Sequence, residues 1–175
     1  MNTLCEKTSK SGMTVKIHQD TSPESPREWD NVGTILYTSN RHTLGDKRST
    51  SEEIKEITDN KNNICLPVFA YMHGGTTINT TGFSCRWDSG QCGIIYVSKE
   101  KARKEFGRLT KKTMETILKN LRSEIKTYDQ YIKGEVYGFT LEDSSGEEKD
   151  SCWGFIGYDS PELLADEILR EHGAI

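Results

Sequence analysis

The chain has 175 residues, 33% of them hydrophobic and 29% charged, with a formal net charge of −4, which suits one domain with a modest core. It contains no apolar run of the ~18 residues that a membrane span needs, and its start, MNTLCEKTSKSGM, lacks the apolar stretch of a secretory signal, so it reads as cytosolic. Five scattered cysteines without a CxxC pair argue against a disulfide framework and offer no zinc-ligand spacing; no cofactor or metal is implied.

Residues 1–12 read as a flexible leader, with a single domain over 13–175. TVKIHQD, from Thr14 to Asp20, alternates apolar and polar positions as a first strand does. TSPESPREWDN carries two prolines and reads as a loop, and VGTILYTS, from Val32 to Ser39, as a second strand. The stretch 41–63 is a polar excursion whose centre, SEEIKEI, predicts a short helix with Ile54 and Ile57 turned inward. NICLPVFAYM is a third strand, with Pro67 at an edge or beside a bulge because proline offers no ladder N–H.

YMHGGTTINTTGFSCRWDSGQCG, from Tyr71 to Gly93, reads as a long polar connection. GIIYVS then resumes strand character, with Ser98 as cap of a short helix that ends at Gly107. Met114, Ile117, Leu118, Leu121, Ile125, Tyr128 and Ile132 recur at three- and four-residue steps, the stripe of a long amphipathic helix from Thr110 to about Ile132. EVYGFTLED and KDSCWGFIGY, joined by SSGE, predict a hairpin. Ser160 and Pro161 open a last helix that closes before Gly173. The fold class expected is α+β: a mainly antiparallel twisted sheet, a long helix packed on one face and a C-terminal helix.

Charge is unevenly spread. Lys99 to Lys112 holds seven Lys/Arg against two Asp/Glu, and Glu135 to Ile175 holds eleven Asp/Glu against two Lys/Arg. The basic stretch suits phosphate contacts. The acidic total and the lack of a recognition-helix motif argue against a specific DNA reader.

The candidate ligand-binding residues fall in two loops. In SPREWDN they are Arg27, Trp29 and Asp30. In the Tyr71–Gly93 connection they are His73, Thr76, Thr77, Arg86, Trp87 and Asp88. Glycines there let the backbone approach a ligand, an arginine fork can grip phosphate and an indole can stack on a base. The spacing matches neither a P-loop nor a dinucleotide fingerprint. The two Trp-Asp pairs, Trp29-Asp30 and Trp87-Asp88, equally suit structural corners that cap turn amides. Cys85 or Cys92 with His73 and Asp88 assembles a thiol triad on paper, but no thiol-protease signature surrounds them, and no catalytic residue is assigned.

At SPREWDNVGT, FSCRWDSGQCGIIYVSKEKARKEFG, LRSEIKTYDQYIKGEVYGF and DSCWGFIGY the sequence resembles a family of small soluble proteins encoded by phages, prophages and mobile elements, from about Ser25 to Tyr158. The resemblance brings no catalytic residues. It implies a setting, the host cytosol, in which small accessory proteins counter host defences. The leading expectation is therefore a non-enzymatic protein that sequesters a nucleotide-type immune signal, a cyclic nucleotide or an ADP-ribose derivative. One alternative is a protein–protein inhibitor of a host defence nuclease, of restriction or CRISPR type, for which the acidic C-terminal region would imitate nucleic acid. Another is an enzyme that degrades a nucleotide signal. A homo-oligomer with a shared site is compatible with each.

Overall fold

The computed structural model describes residues 2–85 and 87–173. The fold is α+β, with four helices and two mostly antiparallel sheets among the described residues. The chain divides into two compact units: one from residues 1–24 and 130–175, the other from 25–129. Among the described residues, no helix is long and apolar enough to cross a membrane.

The first unit is a four-stranded antiparallel sheet in the order β1-β2-β8-β9. Its strands are β1 (Thr3–Thr8), β2 (Thr14–Gln19), β8 (Val136–Glu142) and β9 (Glu148–Ile156). The residues expected to form a flexible leader instead supply β1, which pairs with β2 from Thr3↔His18 to Thr8↔Thr14. Its sequence, TLCEKT, carries no apolar alternation because almost every side chain is exposed. Val15, Ile17, Tyr137, Phe139 and Leu141 bury one face of the sheet against Leu164, Ala165, Ile168 and Leu169 of α4 (Pro161–Glu171). Those α4 positions form one helical stripe, and each fully buried Leu or Ile side chain contributes roughly 1.5–3 kcal/mol.

On the opposite face Val136 is buried at the start of β8, and Trp153 lies over Gly138 and stacks on His18 with ring centroids 5.8 Å apart. Lys16 and Glu142 form an ion pair at 2.6 Å, on adjacent strands β2 and β8.

The second unit holds a five-stranded sheet in the order β4-β3-β7-β5-β6: β3 (Thr34–Tyr37), β4 (Lys47–Arg48), β5 (Asn63–Met72), β6 (Thr76–Asn79) and β7 (Ser89–Ser98). Only the β3–β4 pair is parallel. Strand alternation assigns its two faces. Ile35 and Ile95 point to the side of the long helix α3 (Lys111–Ile132), where Ile117, Leu121 and Ile125 are buried. Leu36 and Ile94 face the other way and pack on Ile54 of α1 (Ser51–Asp59). A capping box between Thr50 and Glu53 starts α1 within the polar excursion. The helix α2 (Lys99–Phe106) is capped by Ser98 and stopped at Gly107, as expected.

Pro67 is accommodated on both of the grounds the sequence suggests. Strand β6 flanks β5 only from Phe69 to Met72, so Pro67 meets an open edge on that side. The β5–β7 ladder also shifts register at Val68/Phe69. The polar connection after β5 is shorter than expected, because Thr76–Asn79 pairs as β6 and β7 already begins at Ser89. Asp129 of α3 protects the β6 edge: its Oδ1 accepts hydrogen bonds from the Ile78 amide (2.6 Å) and the Thr77 hydroxyl (2.7 Å).

Candidate ligand-binding site

Among the described residues, those singled out in the sequence fall into two separate groups. Asp88 immediately precedes β7, whereas the loop holding Arg27, Trp29 and Asp30 lies at the far end of that strand. There Lys101 Nζ, just past Ser98, donates to the Asn31 carbonyl at 2.7 Å. About 30 Å of extended strand separates the two groups. A ligand the size of one nucleotide cannot span them.

Arg27 is committed to the fold. It leads from a 3-10 turn (Pro26–Glu28), and its side chain is only 8% exposed. Its Nε and Nη2 form a fork on Asp46, each at 2.8 Å. Nη1 donates to Glu124 (3.0 Å) and Asn31 (3.1 Å), and Nη2 also donates to the Gly33 carbonyl (2.8 Å). A guanidinium has five N–H donors, and all five are used, which leaves none for a ligand. Burial pulls its pKa down, but hydrogen bonds to Asp46 and Glu124 outweigh that and raise it. The ligand-gripping role read for Arg27 therefore gives way to a structural one.

Glu124 binds the same loop a second way, accepting the amides of Val32 (2.9 Å) and Gly33 (3.1 Å). Asn31 closes the turn by donating to the carbonyls of Pro26 (2.8 Å) and Trp29 (2.9 Å). The corner expected of Trp29-Asp30 is thus built by Asn31, and Asp30 is exposed. The locked loop holds Trp29, 47% exposed, at the wall of a groove of about 240 Å³. Asp30, Asn120, Ser123, Glu124 and Thr127 supply its polar lining. Beyond Lys101 the chain carries the exposed cations Arg103, Lys104, Arg108, Lys111 and Lys112.

At the other end of β7, the β5–β6 turn brings His73 Nδ1 to 3.4 Å from Asp88 Oδ2. Cys85 Sγ lies 4.0 Å from the same oxygen. The acid therefore sits between thiol and imidazole, whereas a thiol triad needs the imidazole between nucleophile and acid. Cys92 is the bulged residue of β7; its thiol donates to the Val68 carbonyl at 3.5 Å, and burial raises its pKa to about 11. Phe83 folds back onto Tyr71, ring centroids 5.7 Å apart. Thr77 is spent on Asp129, and Thr76 begins β6 opposite Met72. Trp87 is 96% exposed, so it projects from the loop instead of walling a cavity. Arg86 lies outside the described residues. Among those described, no three His, Cys, Asp or Glu side chains converge as a metal site requires.

Sequence reasoning missed the concavities along α1, in the polar excursion. One of about 350 Å³ runs between α1 and the sheet, lined by Ile54, Lys55, Gln91 and Cys92 among others. Another, of about 520 Å³, opens at the helix start between Asn40, Arg48, Ser49 and Ser51. Thr38 and Ser51 line both. The sequence predicts the short helix at SEEIKEI, but not the capping box that starts it or that this start would face a cavity.

The fold and these grooves define an α+β protein with small-molecule-sized concavities on its larger unit. No family model, no curated protein and no solved structure matches the chain.

Proposed function

We propose that the protein binds a nucleotide-type ligand without chemical turnover and, in the phage setting that its sequence resemblance implies, withholds an immune signal from the host. The observation that carries this reading is Trp29, a half-exposed indole fixed at the wall of a polar groove. Stacking of a base on such a ring contributes ~1–3 kcal/mol. Asn120, Ser123 and Thr127 offer donors and acceptors to base edges and ribose hydroxyls. Phosphates would turn to the exposed cations of α2 and the start of α3, since Arg27 has no donor to spare. The order of groups along thiol, acid and imidazole gives no support to a degrading activity.

Calorimetric titration with cyclic nucleotides and ADP-ribose derivatives tests the reading. Saturable heat with one of them is expected, weakened at least tenfold by Trp29→Ala, with the ligand recovered intact after heat release. If none gives heat at protein concentrations well above micromolar, the reading fails.

Trp87 favours a second reading. A fully exposed tryptophan is the kind of anchor that dominates protein interfaces, which suits an inhibitor of a host defence nuclease. Stoichiometric inhibition of a purified nuclease, lost in Trp87→Ala but kept in Trp29→Ala, would select it.

A further inference from the structure

Resting on the nucleotide reading of the same groove, we propose that Asp30 makes it selective for guanine, its carboxylate accepting the two adjacent donors, N1–H and N2–H, of a base stacked on Trp29. Trp29 and Asp30 both line the groove. The Asn31 amide donates to the Trp29 carbonyl at 2.9 Å, which closes a three-residue turn with Asp30 at its centre. The Asn31 side chain holds the Trp29 carbonyl as well (2.9 Å), and Lys101 Nζ holds the Asn31 carbonyl (2.7 Å). The backbone on both sides of Asp30 is therefore fixed, and the Asp30 carboxylate takes no part in fixing it. Aspartates in turns usually accept neighbouring amides, as Asp20 does from Ser22 at 3.0 Å and Asp143 from Ser145 at 2.8 Å. Asp30 departs from that pattern: it is exposed, and its side chain has no hydrogen bond or ion pair among the described residues.

The groove's other carboxylate, Glu124, is spent on Arg27 and on the amides of Val32 and Gly33. Asp30 thus supplies the carboxylate that is open to a ligand. A carboxylate accepts hydrogen bonds and donates none, and it repels phosphate, so the base end of a nucleotide enters the groove. The volume of about 240 Å³ lies below the roughly 300–1,000 Å³ of sites that enclose a whole drug-sized ligand, which suits a single base.

The bases differ in what they offer such an acceptor. Guanine presents two parallel donors side by side on its Watson–Crick edge, the geometry that fits both oxygens of one carboxylate. Adenine and cytosine set one amino group beside a ring acceptor, and uracil sets one N–H between two carbonyls, so each would turn a lone pair toward Asp30. Asn120, half-buried on α3 in the same groove, has an amide N–H for guanine O6, next to N1. This selects a guanine-bearing cyclic nucleotide over an ADP-ribose derivative, whose base is adenine.

The test is calorimetric titration of the full chain with GMP, inosine monophosphate, AMP, CMP, UMP and 2′-deoxy-GMP. GMP is expected to bind about tenfold or more tighter than inosine monophosphate, which lacks the N2 amino group, and tighter still than AMP. Asp30→Asn should weaken GMP at least tenfold without weakening AMP, and should leave thermal unfolding unchanged because the side chain holds nothing in the fold. Equal affinity for GMP and AMP, both lost in Trp29→Ala, would overturn the guanine assignment and leave the nucleotide reading standing. A GMP preference that survives in Asp30→Asn would overturn the role of Asp30. A loss in Asp30→Asn that is equal for GMP and AMP and absent for 2′-deoxy-GMP would put the carboxylate on the ribose diol and overturn it too. No heat with any of the six would sink this proposal together with the reading it rests on.

Discussion

Arg27 and Glu124 meet at 3.0 Å although 97 residues separate them in sequence, and this contact ties the Trp-bearing loop to the long helix. The pair is largely withdrawn from solvent, with side chains 8% and 14% exposed. Breaking such a pair from one side leaves the remaining charge buried and uncompensated, which typically costs ~3–5 kcal/mol. Arg27→Ala is therefore expected to lower stability by about 3 kcal/mol in urea titrations followed by circular dichroism. Arg27→Lys should recover little of it, because three mobile donors replace a five-donor fork. A loss under ~1 kcal/mol in Arg27→Ala would mean that water reaches the two carboxylates freely.

Trp153 and Gly138 make a comparable demand in the smaller unit. A Cβ at Gly138 would overlap the indole ring, so the stack of Trp153 on His18 depends on glycine in β8. Gly138→Ala is expected to cost about 1–3 kcal/mol through overpacking. Adding Trp153→Ala should remove most of that penalty, since the clash has one partner. Equal losses in the Gly138→Ala variant with and without Trp153 would place the strain in the backbone instead.

Elements whose signal is local were legible in the sequence. The Ser98 cap, the Ser160-Pro161 start, the SEEIKEI segment and the stripe of α3 depend on residues a turn or two apart, and these helices fall where the local pattern sets them, although the Ser160 side chain makes no capping hydrogen bond. Three strands were not legible, for the same reason: β4 is only the exposed pair Lys47–Arg48. β1 is almost wholly exposed, and β6, with the sequence TTIN, buries only Ile78, so none of the three has a buried face to imprint alternation. The described candidate residues separate at longer range. Arg27 and Trp29 share chemistry with His73 and Asp88 but lie at opposite ends of β7, and chain spacing carries no record of that. Arg27 could not be seen as structural, because its partners Asp46 and Glu124 are 19 and 97 residues away. The cavity at Ser49 exists only because α1 lies on the Leu36–Ile94 face of the sheet.

His18 gives the stability of the smaller unit a pH dependence of defined sign. It is 5% exposed, and its ring nitrogens approach the hydroxyls of Thr140 (3.1 Å) and Thr3 (3.4 Å). Burial, with Lys16 nearby, lowers its pKa below 6.5. The unfolded chain then binds the proton more readily than the fold does, so stability is complete above 6.5 and falls as pH drops from there through the folded value. One such group contributes a slope of at most about 1.4 kcal/mol per pH unit. Unfolding titrations of wild type and His18→Gln between pH 7.5 and 5 should differ by this slope, steeper in wild type. A His18 ring that titrates by NMR at or above 6.5 would contradict it.

The cysteines should separate by reactivity. The Cys92 thiol, with a pKa near 11, donates to a backbone carbonyl inside the β7 bulge, whereas Cys152 is exposed on the edge strand β9. The thiolate is the reacting species, and at pH 8 only about one Cys92 in a thousand would carry it, before any steric protection. Alkylation with iodoacetamide at pH 8, read by peptide mass spectrometry, should label Cys152 first and Cys92 last. Raising the pH to 10 should accelerate Cys92 in proportion to its thiolate, provided the fold stays intact by circular dichroism. Early labelling of Cys92 at pH 8 would mean an activated thiol beside the α1 cavity and would reopen covalent chemistry there. The cavity wall carries Lys55 and Asp59 within the same concavity, so variants at those two positions would identify which of them activates it.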